Sequence, residues 1–111
     1  MLAMAHVSIR TEVIQDWTSF HEEFKRAMGF PDFYGMNMNA WIDCLTYLYE
    51  GDGMSRFHLA PAEMLHIEVP DAVGFKSRLP EIFESMIECT AFVNTRYTEM
   101  GQSPALSLVL Y

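Results

Sequence analysis

In three short stretches of the chain, apolar and polar residues alternate one by one. In residues 5–9, Ala5, Val7 and Ile9 fall on one side, and His6 and Ser8, followed by Arg10, on the other. In residues 64–69, Leu65, Ile67 and Val69 oppose Met64, His66 and Glu68. Near the C-terminus Leu106, Leu108 and Leu110 alternate with Ser107, Val109 and Tyr111. A period of two is that of a β-strand with a more apolar and a more polar face. Between these stretches the period lengthens. Trp17, Phe20, Phe24 and Met28 recur at spacings of three and four, behind Asp16 and Thr18 as candidate N-caps. Gly29 and Pro31 end that helix. A second helix is expected from its cap Asn37 to about Tyr49, with Met38, Trp41, Cys44, Leu45 and Leu48 inward and Gly51, Asp52 and Gly53 as its stop. Pro70 and Asp71 open a short helix, and Pro80 opens a longer one that ends near Gly101.

The order strand, two helices, strand, two helices, strand suits parallel crossovers, because each connection is long and helical. A parallel sheet usually has both faces covered. The half-polar strands argue instead for helices on one face. The expectation is an α/β fold of two layers, a three-stranded parallel sheet with helices packed on one side. At 111 residues, one domain over 1–111 with a core that needs no metal or disulfide is expected.

Half of the residues are hydrophobic, which excludes disorder, yet they are scattered, so no transmembrane segment is expected. The start of the chain has no basic stretch followed by an apolar block, so no signal peptide is expected. Cys44 and Cys89 then read as free thiols in a reducing, cytoplasmic compartment. Fifteen acidic against seven basic residues give a net charge of −8. Such a surface disfavours direct nucleic-acid binding and speeds encounter with a basic partner, although many domains are acidic only for solubility.

Residues 30–50, FPDFYGMNMNAWIDCLTYLYE, read as an aromatic loop turning into a capped helix. Gly35 permits a turn or a close approach. Asn39, Asp43, Thr46 and Glu50 fall at i, i+4, i+7 and i+11 and share one face, opposite the Met38, Trp41 and Leu45 stripe. Phe33 and Tyr34 precede that face. An exposed aromatic beside a carboxylate on a rigid helix makes an interface hot spot, whereas the bland alternative is a solvated face with its aromatics buried.

The run Pro31-x-x-Tyr34-Gly35-x-Asn37-x-x-Ala40-x-x-Asp43-Cys44-Leu45-Thr46 resembles the signature of the barstar family without a gap, and the likeness extends back through Phe20, His21 and Phe24. The resemblance implies the two-layer fold just described. It implies no catalysis, but stoichiometric inhibition of a basic, extracellular-type ribonuclease, whose active site the loop and helix at 33–50 would plug. Asp43 matches the key carboxylate that mimics a phosphate, and Phe33 the loop aromatic. Gly35, Asn37, Asn39, Ile42, Thr46, Leu48 and Tyr49 match the remaining contact positions. Some positions depart from the family. Asn39 replaces an acidic residue, Ile42 a tryptophan and Phe33 a tyrosine. The acidic contact from the last helix has no clean match in residues 94–99, and the 51–63 loop is longer. A related toxin, another partner or self-association stays open as an alternative.

No other chemistry stands out. His6 and His66 become neighbours if their strands pair, but no HxH, HExxH or CxxC spacing supports a metal, and no cofactor motif occurs. Glu22 and Glu23, and Glu81, Glu84 and Glu88, read as solvated helix faces. The nine methionines read as core filling.

Overall fold

Three strands, β1 (Ala5–Ser8), β2 (Leu65–Val69) and β3 (Leu106–Leu110), form a parallel sheet in the order β1-β2-β3. Four helices connect them: α1 (Trp17–Met28), α2 (Met38–Leu45), α3 (Ala72–Arg78) and α4 (Pro80–Glu99). The structure is a computed structural model and describes residues 5–51 and 53–111. The two-layer α/β fold expected from the alternation is the one observed. In register, Val7 lies beside Ile67 and Ile67 beside Leu108. Val7, Leu65, Ile67, Val69 and Leu106 are buried in one core with Phe20, Phe24, Trp41, Phe75, Met86 and Val93 from the helices. The opposite face carries the paired His6 and His66, whose rings stack at 5.2 Å, together with Ser8, Glu68 and Ser107.

Local chemistry sets the helix limits. Asp16, not Thr18, caps α1: its side chain accepts the Ser19 N–H while Ser19 returns a bond to the Asp16 N–H. Gly29 ends α1 in the left-handed region at φ 67°. Arg56 secures that end, donating from its backbone to the Met28 carbonyl and from Nε to the Ala27 carbonyl. One 3₁₀ turn at Thr11–Val13 lacks any periodic signal in the sequence. It is held by Arg78, which donates to the Thr11 and Ile14 carbonyls. α4 packs on α2, α3 and β3. From α4 the Asn94 amide pairs with both the N–H and the carbonyl of Leu106, covering the start of the sheet edge.

Three expectations are corrected. Leu110 is exposed, on the rim of an open hollow that it lines with Val73, Phe83 and Ile87. Among the described methionines, Met28 and Met86 are buried, whereas Met36 and Met100 are exposed. Glu23 is not solvated. Its carboxylate accepts the backbone N–H of Arg10 at 2.7 Å and both Arg10 and Arg26 guanidinium groups. Burial alone would raise the Glu23 carboxyl, but the bonds from Arg26 and Arg10 outweigh it and hold the group at about 2. Cys44 and Cys89 are both free thiols. Among the described residues, no helix is long and apolar enough to cross a membrane.

Candidate functional site

The loop between α1 and α2 is built by turning one aromatic in and leaving the next one out. Tyr34 closes a tight turn, its N–H donating to the Pro31 carbonyl at 2.9 Å, and its ring packs on buried Phe30. Its hydroxyl shares a 2.5 Å hydrogen bond with His21 Nδ1, and Trp17 stacks on the other side of His21. Burial depresses His21 to about 4, so the imidazole is neutral at pH 7. Burial also raises the Tyr34 hydroxyl, which keeps it protonated. With Tyr34 anchored, the preceding Phe33 side chain projects into solvent at 76% exposure.

Gly35 does not supply the turn. The left-handed residue is Met36, at φ 55°. A Cβ on Gly35 would lie 3.4 Å from both Ala40 and Asn37, an ordinary contact distance, so neither the turn nor the packing within the chain requires glycine here. Asn37 caps α2 as expected, accepting the Ala40 N–H at 2.8 Å and donating to the Gly35 carbonyl.

α2 then divides by its period. Trp41, Cys44 and Leu45 point inward, with Trp41 edge-on to Phe24. Asn39 and Asp43 point outward, and Ile42 is half-buried. The Asp43 side chain is 60% exposed, and its Oδ1 lies 3.3 Å from Nη1 of Arg96 on α4. Arg96 in turn sits over the exposed Phe92 ring at 5.2 Å.

The helix does not run to Tyr49. It ends at Leu45, because Tyr97 from α4 takes over the backbone groups of the next turn. The Tyr97 hydroxyl donates to the Leu45 carbonyl at 2.6 Å and accepts the Leu48 N–H at 3.0 Å. The chain therefore continues as turns. Asp52, part of the expected stop, lies outside the described residues. The outward set is smaller than the family positions suggest. Thr46 is 7% exposed, its hydroxyl donating back to the Ile42 carbonyl, and Leu48 is fully buried, so neither side chain reaches the surface. Tyr49 is half-buried, its hydroxyl shared between the Glu63 and Ser103 carbonyls. Tyr47, which the sequence reading passed over, is exposed instead.

Of the nine residues singled out, Phe33, Gly35, Asn37, Asn39 and Asp43 lie on the exposed surface of the loop and α2. Ile42 and Tyr49 contribute edges, and Thr46 and Leu48 support from beneath. Arg96 and Phe92 are the additions from α4. Their i, i+4 spacing was readable, but their meeting with α2 was not. Such a surface offers no nucleophile paired with a base. It offers an exposed carboxylate on α2 and an exposed aromatic ring on the loop before it, on a backbone held by caps and core.

A family model described as Barstar (barnase inhibitor) matches residues 4–109 of the chain. No curated protein matches it significantly.

Proposed function

The chain belongs to the Barstar family, and from that premise we propose that it is a stoichiometric inhibitor of a ribonuclease, of toxin-immunity type. The loop and α2, residues 33–50, enter the nuclease cleft where RNA would lie. Asp43 stands in for a phosphate and meets the cations that bind one, through charge-assisted hydrogen bonds. Phe33 packs beside it as an aromatic anchor. The protein itself catalyses nothing, and its place of action is the cytoplasm. The observation that carries this reading is Asp43, ionisable and exposed at mid-helix, within a segment whose neighbours are fixed by Asn37, Trp41 and Tyr97. The charge of −8 adds long-range attraction to a basic nuclease.

Titration of barnase with the chain tests it. RNA hydrolysis falls linearly to an end point near one inhibitor per enzyme. Undiminished hydrolysis at a large excess of the chain contradicts the reading. A second reading, a related toxin or another partner as the target, gains support from Asn39 and from the burial of Thr46 and Leu48, which leave fewer family contacts at the surface. Inhibition of a different nuclease toxin, with barnase untouched, is its signature.

A further inference from the structure

Asp43 is not a bare carboxylate. Arg96, carried by α4, lies 3.3 Å from it, with its guanidinium steadied over Phe92. Both partners are open to solvent, Arg96 at 41% and Asp43 at 60% of the side chain. The pair therefore sits on the very surface assigned to the nuclease, and a cation that binds Asp43 there comes close to the Arg96 guanidinium. We propose that Arg96 is a specificity-determining residue, an internal counter-ion that competes with the partner's cations for Asp43 and restricts the surface to partners able to displace it. This inference rests on the inhibitor reading above and deepens it.

In the free protein the exposed pair is weakly held, so it does not block Asp43 outright. In a complex, the guanidinium either stays beside Asp43, where it faces the cations of an RNA-binding cleft at short range with water excluded, or swings away and gives up both Asp43 and the Phe92 ring. Both routes cost affinity against a cationic cleft, and juxtaposed like charges are the means by which interfaces reject wrong partners. The contact arises from residues 53 positions apart on α2 and α4, and α4 is the helix on which the sequence offers no acidic match for the family's last contact.

The test is inhibition of barnase by wild type, Arg96→Ala and Arg96→Glu at low and high salt, with thermal melts confirming that each variant is folded. The expected order of affinity is Arg96→Glu, then Arg96→Ala, then wild type. Removing the like charge should tighten inhibition about tenfold at low salt, with the gap shrinking as salt screens it. Introducing Asp43→Ala into Arg96→Ala should abolish most of the gain. Inhibition that is unchanged or weakened by Arg96→Ala overturns the inference and leaves the inhibitor reading standing. A lack of inhibition by all three proteins overturns both.

Discussion

Among the described residues two carboxylates face arginine, and they do so in opposite ways. Glu23 on α1 is 1% exposed and takes five N–H groups from Arg10 and Arg26, the Arg10 backbone among them. An ionised carboxylate has about four lone-pair sites, so Glu23 has nothing left to offer a partner. Asp43 on α2 has one contact, at 3.3 Å, and most of its surface in water. A saturated, buried pair ties elements together: here it joins the segment after β1 to α1. An unsaturated, exposed pair adds little to folding and keeps its acceptors free. The Glu23 pair therefore serves the fold, whereas Asp43 keeps acceptors free for the partner that the proposed function gives it.

Breaking the buried pair should have the largest effect on folding. Glu23→Ala is expected to destabilise by about 3 kcal/mol, toward the low end for a broken buried pair because both arginines can turn to water. The shift of the urea midpoint measures it. A loss below about 0.5 kcal/mol, the range of ordinary surface changes, contradicts the contrast.

Acid titration sharpens it. Glu23 is at about 2 in the fold against 4.5 for a free group, so its contribution is complete above pH 4.5 and is lost as pH falls from 4.5 toward 2. His21 works earlier. Its folded value of about 4 lies below the free value of 6.5, so the unfolded chain takes the proton first. Stability is unaffected above pH 6.5 and declines as pH falls from 6.5 to 4, by on the order of 2–3 kcal/mol. Denaturation curves at stepped pH should show both windows, with His21→Gln removing the upper and Glu23→Ala the lower. A wild-type profile flat between pH 6.5 and 4 contradicts the buried neutral imidazole.

Tyr97→Phe comes next. It leaves the Leu45 carbonyl and the Leu48 N–H without the hydroxyl they share, which should cost about 2 kcal/mol. Hydrogen exchange at Leu48 should rise with it, and unchanged protection there contradicts the role given to Tyr97. Asp43→Ala should have the smallest effect on stability, under about 0.5 kcal/mol, since the contact its side chain makes with Arg96 is exposed. A thermal melt displaced as far as that of Glu23→Ala would erase the distinction between the two sides.

Much of the fold was legible because its signals are local. Alternation in the strands, the Asp16 and Asn37 caps, Gly29 and Pro80 each act within a few residues of where they stand. The start of the site was legible for the same reason, and the run from Pro31 to Thr46 carried its family likeness. What could not be read depends on partners distant in the chain. The end of α2 is decided by Tyr97, 52 residues beyond Leu45, whose hydroxyl no periodicity reveals. Glu23 looked solvated because Arg10 comes from another element. The polar spacing grouped Thr46 with Asp43, but Thr46 turns its hydroxyl back onto the Ile42 carbonyl and is buried. Arg96 was visible only as the absence of an expected acid, not as a neighbour of Asp43.

The claim that recognition is concentrated on Asp43 meets its most direct test in barnase inhibition by Asp43→Ala, read beside its melting curve. In the proposed complex this carboxylate would be desolvated against cations, and truncating it would leave them buried and unpaired. The expected result is a fold as stable as wild type with inhibition weakened by about 2 kcal/mol or more, roughly 30-fold at the least. Inhibition as tight as that of wild type, by a variant equally stable, would contradict the account.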